Sequence, residues 1–92
     1  MEVRHHIRVL VIDDDPDILD AVQMLLESEG FTVMTSTKGD ELDSLDSNLP
    51  DLILLDVLLS GKDGRDIAKK LKNQEKTKHI PIVMMSAHPT AH

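Results

Sequence analysis

Five residues stand where aliphatic runs stop, and their types allow phosphate and metal chemistry. Asp13, Asp14 and Asp15 follow the run Ile7 to Ile12 (IRVLVI), Asp56 closes Asp51 to Asp56 (DLILLD), and Ser86 follows Ile80 to Met85 (IPIVMM). Carboxylates brought within about 4–6 Å repel one another and raise each other's pKa unless a cation lies between them. Oxygen-only donors on a shallow site suit Mg2+, which keeps several waters and accepts phosphate oxygens. A carboxylate beside such a metal, with a hydroxyl across from it, can attack a phosphoryl group in line. Asp56 is the candidate nucleophile. It ends a strand of pure aliphatics, and Val57, Leu58 and Leu59 follow it.

A plainer account of the same residues stands beside this one. An aspartate after a strand is commonly a helix cap or a turn former. Asp15, Asp17 and Asp20 fit that account, because they fall in the first turns of a helix, where the dipole favours them. Asp13 and Asp14 fit it less well, since they lie before the cap and next to each other. Ser86 alone would be an ordinary turn hydroxyl.

The elements that must position these residues alternate. Ile7 to Ile12 has the length and Val/Ile content of a strand buried on both faces. Asp15 then caps a helix with Pro16 at its first position, and Ile18, Ala21, Val22, Leu25 and Leu26 recur at helical spacing up to Gly30. Phe31 to Ser36 reads as a second strand. Asp40 to Ser47, with Leu42, Leu45 and Leu49, reads as a helix that Pro50 breaks. Asp51 to Asp56 is a third strand and Val57 to Lys62 a loop. Asp63 caps a third helix, with Asp66 placed as in a capping box. Ile67, Ala68 and Leu71 form its apolar side, and Lys69, Lys70 and Lys72 read as solvated. Ile80 to Met85 is the fourth strand. Strands alternating with helices predict a parallel sheet covered by helices. In such a sheet ligands bind beyond the carboxyl ends of the strands, where Asp13, Asp14, Asp56 and Ser86 fall.

Composition narrows the function. A net charge of -7 and a single aromatic residue, Phe31, argue against a nucleic-acid surface. Without cysteine there is no disulfide and no thiolate metal site, which fits a cytoplasmic protein. No apolar stretch is long enough to span a membrane, and Met1 to Arg8 has no signal-peptide character. An EF-hand loop from Asp13 fails, because Ile18 stands where glycine is needed and Met24 where the bidentate glutamate belongs. His5, His6, His88 and His92 read as surface histidines rather than zinc ligands. The D-x-D of Asp13 to Asp15 is shared with haloacid-dehalogenase-type phosphatases, but Pro16 and the length of 92 residues oppose that reading.

Taken as a set, these segments resemble the receiver domain of response regulators. The carriers are VLVIDDDPD, DLILLD, Gly64 after the loop and IVMMSA, which together span about Arg8 to His88. The resemblance implies a flavodoxin-like, doubly wound α/β fold in a signalling domain rather than an enzyme. It implies that Asp56 is the phosphoacceptor, and that Asp13 and Asp14 bind Mg2+, Asp14 more directly and Asp13 largely through water. The backbone carbonyl of Leu58 would join the metal shell, Ser86 would be the switch hydroxyl, and Ala87 would lie beside the phosphoryl pocket. The implied phosphodonor is a sensor histidine kinase, a phosphotransfer protein or a small acyl phosphate.

Two departures bear on this reading. Ser60 stands where the family usually has proline. The sequence also stops at His92, whereas the family continues through a further helix, strand and helix that carry a pairing lysine and an aromatic switch residue. The expected architecture for residues 1–92 is therefore an N-terminal portion of a receiver without an output domain: four strands in order 2-1-3-4 with three helices. One helix would then cover a whole sheet face, and the fourth strand would be an apolar edge open to self-association. The rival function is a switch-deficient, receiver-like module for interaction or dimerisation.

Overall fold

The computed structural model of the chain describes residues 7–37, 49–59 and 62–85. Its strands are β1 (Arg8–Ile12), β2 (Thr32–Ser36), β3 (Leu52–Asp56), β4 (Leu58–Leu59), β5 (Lys62–Asp63) and β6 (Ile82–Met85). Its helices are α1 (Pro16–Ser28) and α2 (Gly64–Lys72). The helix expected over 40–47 lies outside the described residues.

β1 is the centre of the molecule. Val9, Leu10, Val11 and Ile12 are all buried. Val9 and Val11 pack on one face with Leu19 of α1, while Leu10 and Ile12 pack on the other with Ile53, Leu55 and Leu71. The unbroken aliphatic run thus serves two cores at once, as a strand between two layers must. Each such side chain stabilises the fold by about 1.5–3 kcal/mol. β2, β1, β3 and β6 pair in parallel in that spatial order. With β6 as the fourth strand of this sheet, the order is the expected 2-1-3-4. β4 and β5 form a separate antiparallel ladder of two residues each, in the segment that the sequence marks as loop and reaching one residue past it to Asp63.

α1 forms as its ends dictate. Asp15 accepts a hydrogen bond from the Asp17 N–H at 2.9 Å, and Pro16 occupies the first turn, where its missing N–H costs nothing. At the other end Gly30 takes φ +96, a conformation that L side chains rarely adopt. The N–H of Gly30 donates to Glu27 and that of Phe31 to Leu26, which is a Schellman termination. Because its N–H is used there, Phe31 is not part of β2, which begins one residue later than its sequence pattern indicates.

The other boundary differences have similar causes. Asp51 is not in β3, but its N–H donates to the Arg8 carbonyl at 2.8 Å and its Oδ2 accepts from the Arg8 N–H at 2.9 Å. The side chain therefore stands in for a ladder carbonyl. Ile80 belongs to the turn before β6, since its N–H donates to Thr77, and Pro81 has no N–H to give. In that turn the Thr77 hydroxyl, fully buried, donates to the Leu71 carbonyl at 2.6 Å. Lys72, expected to be solvated, instead turns its ammonium to the Ile80 carbonyl at 2.9 Å and so straps the end of α2 to the start of β6.

Met24 and Leu25 on α1 are 72% and 63% exposed, and Val83 on β6 is 49% exposed.

Candidate functional site

The parallel register brings the carboxyl ends of β1, β3 and β6 to one rim. Ile12 pairs with Leu55, and Asp56 pairs with Met85. Asp13 leaves β1 with its N–H donated to the Ser36 carbonyl at the end of β2, 3.1 Å away. That bond fixes the direction in which the acidic run departs. Asp13 is 1% exposed and Asp56 is 0% exposed. Carboxylate oxygens of Asp13, Asp14 and Asp56 lie within 4.8 Å of one another. Of the residues that the sequence singles out, Asp13, Asp14 and Asp56 are therefore brought together. Ser86 and Ala87 lie outside the described residues, as do His5, His6, His88 and His92.

The electrostatics of the cluster are unfavourable. Burial pushes the Asp13 carboxyl above its ordinary range, against the N–H of Asp15, which lowers it; the charges of Asp56, Asp14 and Asp15 push it further up. One Asp13 oxygen, Oδ1, accepts from that N–H at 2.9 Å. The other, Oδ2, is buried and accepts no hydrogen bond among the described residues. Oδ2 of Asp56 is likewise buried without a hydrogen bond, although the residue has other interactions. A buried carboxylate oxygen with no donor is costly unless something positive is to be placed against it. Three converging carboxylates with an orphaned oxygen fit a hard divalent cation, and the all-oxygen donor set suits Mg2+.

The segment leaving Asp56 is tightly folded. The Val57 N–H donates to Met85 at 3.0 Å, tying the start of the segment to β6. Leu58 pairs with Asp63 and Leu59 with Lys62 in the β4–β5 ladder. The Gly64 N–H closes the segment by donating to the Val57 carbonyl at 2.7 Å. Asp63 caps α2 by accepting from the Arg65 N–H at 2.9 Å, and it pairs with the Arg65 guanidinium at 2.8 Å. Those contacts hold its carboxyl below the ordinary range. Sequence reasoning finds Asp63 as a cap but not Arg65 as its ionic partner. It also gives no sign that Gly64 sits against the acceptor candidate.

Comparison with known proteins agrees with this geometry. The profile of the response regulator receiver domain matches residues 9–92. The chain is 41% identical over 81 residues to the DNA-binding dual master transcriptional regulator RpaA of Synechocystis, covering 87% of this chain and 34% of that protein. Among solved structures, the N-terminal domain of a response regulator receiver protein from Methanoculleus marisnigri JR1 superposes with a TM-score of 0.80 at 35% identity, covering 91% of this chain and 69% of that one. The response regulator TrrA from Thermotoga maritima, in complex with Mg2+ and BeF, gives a TM-score of 0.75 at 30% identity over 89% of this chain and 70% of that one. This chain thus spans about a third of the length of RpaA. With its doubly wound, flavodoxin-like sheet and its acidic rim, the chain belongs to the response regulator receiver family of two-component signalling.

Proposed function

We propose that this chain accepts a phosphoryl group on Asp56 while Asp13 and Asp14 hold Mg2+ beside it. The observation that carries the reading is the convergence of three carboxylates at one sheet rim, two of them buried. That arrangement carries a clear electrostatic cost. The reading also draws on TrrA, a relative whose structure holds Mg2+ and BeF.

In this reading an Asp56 carboxylate oxygen attacks phosphorus, and an acyl phosphate O–P bond forms as the donor's bond to phosphorus breaks. The donor is the phosphohistidine of a sensor histidine kinase or phosphotransfer protein, or a small acyl phosphate, and it leaves with the electron pair of the broken bond. Bound Mg2+ supplies the positive charge that lets carboxylates and phosphoryl oxygens share one space. Asp13, Asp14 and Asp56 would hold it together with the Leu58 carbonyl, Asp14 more directly than Asp13. Asp13 is held for this by its own acceptance of the Asp15 N–H. Ser86 supplies a hydroxyl to the phosphoryl oxygens, with Ala87 beside it. Such a role places the chain in the cytoplasm, where its phosphodonor works. Copies would associate through the edge of β6 and the sheet face beside it, where Val83 is exposed. A single species of constant sedimentation coefficient across a concentration series removes that part of the proposal.

The test is incubation with acetyl phosphate and Mg2+, followed by intact mass. A phosphoryl adduct is expected on the wild type and not on Asp56→Asn. A folded wild type that gains no adduct overturns the reading and leaves an interaction module that does not switch.

A further inference from the structure

Gly64 makes an approach that no other residue type can make. A Cβ built on it falls inside the van der Waals envelope of the Asp56 carbonyl oxygen, and comes within 3.0 Å of the Asp56 carbonyl carbon and 3.2 Å of the Val57 Cα. These are backbone atoms of a strand end, so they cannot rotate aside as a side chain would. At the same point the Gly64 N–H holds the Val57 carbonyl at 2.7 Å. Gly64 is itself buried, as the first residue of α2.

These contacts form a closed loop of constraints. Asp56 is fixed by β3, Val57 is tied to Met85, Leu58 is paired with Asp63, and Gly64 returns the chain to Val57. We infer that Gly64 is a positioning residue of the acceptor site: by lacking a side chain it seats the first turn of α2 against the Asp56 backbone and fixes the segment that presents the Leu58 carbonyl. This rests on the reading of Asp56 as acceptor and Leu58 as a metal ligand. Any Cβ at residue 64 must push α2 and the strand end apart. The displacement falls on Asp56 and on the β4–β5 ladder, not on Asp13 or Asp14, which are held from β1 and β2. Because the colliding atom is the Cβ itself, alanine at this position produces most of the damage, and a larger side chain adds little.

The experiment compares the wild type, Gly64→Ala, Gly64→Ser and Ala68→Gly. Ala68→Gly weakens α2 through helix propensity at a position one turn beyond Gly64. Mg2+ affinity is read by titration of backbone amide shifts, phosphoryl uptake from acetyl phosphate by intact mass, and stability by thermal unfolding. Gly64→Ala and Gly64→Ser are expected to lose Mg2+ affinity alike, by about 10–100-fold, the scale seen when the supports of metal ligands are removed. Ala68→Gly is expected to lower the thermal midpoint and leave Mg2+ affinity unchanged. The inference is overturned if folded Gly64→Ala binds Mg2+ like the wild type, or if Ala68→Gly loses affinity equally. Should the Gly64 variants not fold, amide exchange on the wild type decides: Mg2+ must slow exchange of the Gly64 N–H more than that of Leu71 within α2, and equal slowing overturns the inference. A wild type that binds no Mg2+ instead fails the underlying reading, and the inference falls with it. A wild type that binds Mg2+ but takes no phosphoryl group fails the acceptor chemistry, and the affinity comparison still decides the role of Gly64.

Discussion

Asp13 and Asp63 each end an extended segment and lead into a helix, yet the protein treats them in opposite ways. Asp63 stands in the open with the Arg65 guanidinium and the Arg65 N–H against it, and its carboxyl is held below the ordinary range. Asp13 is buried among other carboxylates and is held above it. At the Asp63 junction the fold supplies its own counter-charge. The Asp13 junction carries a repulsion that the fold does not need. A residue type therefore says little about role. What separates a structural aspartate from a functional one is whether its neighbours relieve its charge or compound it.

The sharpest way to break this comparison is to add the cation. At a Mg2+ concentration of 100 times Kd, binding to the folded state alone raises stability by about 2.7 kcal/mol. Thermal unfolding of the wild type and of Asp63→Asn should both show this gain. A double change of Asp13 and Asp14 to Asn should abolish it. If Asp63→Asn also loses the gain, the two junctions are not separate in function.

Next in size is a change remote from the acidic rim. Thr77→Val leaves the Leu71 carbonyl without its buried donor and should cost about 1–3 kcal/mol, with Mg2+ affinity unaltered. Chemical denaturation with and without Mg2+ measures both quantities. A smaller effect follows in the opposite direction: without Mg2+, Asp13→Asn should raise stability by on the order of 1 kcal/mol, because the amide keeps an acceptor for the Asp15 N–H and removes a charge. A destabilised, folded Asp13→Asn would show that the cluster is not repulsive.

The pH dependence separates the two aspartates by sign. The folded Asp13 carboxyl lies above the ordinary 3.8, so its protonated form favours the fold. That contribution is full below 3.8 and is lost as pH rises through the raised value toward neutrality. The folded Asp63 carboxyl lies below 3.8, so its contribution is present above that value and is lost as pH falls through the lowered one. In melting series from about pH 4 to about pH 7 without metal, the advantage of Asp13→Asn over the wild type should grow with pH. A constant difference would place the Asp13 carboxyl in the ordinary range. The smallest expected effect is that of Asp63→Asn at neutral pH, a drop in melting temperature below that of Thr77→Val, since the pair is solvent-screened.

Much of this was legible because it depends on local chemistry or on simple periodicity. Asp15 with Pro16 at one end, and Gly30 at the other, bound α1 through interactions within a few residues. The aliphatic runs of β1 and β3 state that both faces are buried. The convergence of Asp13, Asp14 and Asp56 follows from parallel strands ending at a common level. What stayed hidden depends on atoms distant in sequence or on backbone geometry. Lys72 looks like a solvated lysine in a row of lysines, and only the turn before β6 gives it carbonyls to bind. Thr77 sits in a polar stretch (NQEKTKH) whose pattern does not mark it as buried. Asp51 and Phe31 read as strand residues, and each is excluded because a backbone or side-chain hydrogen bond is used elsewhere. The closeness of Gly64 to the Asp56 carbonyl is a distance, and no pattern of residue types encodes one.

The pairing of β1 with β3 also sets a moment in the life of the chain. During synthesis the acidic run emerges long before Asp56, and β6, whose Met85 lies beside Asp56, emerges later still. Until those strands are laid side by side, Asp13 and Asp14 are ordinary solvated carboxylates with no cluster to complete. A nascent chain on the ribosome therefore has no acidic rim until Asp56 and β6 have joined β1, and any ligand of that rim meets it only on the finished sheet.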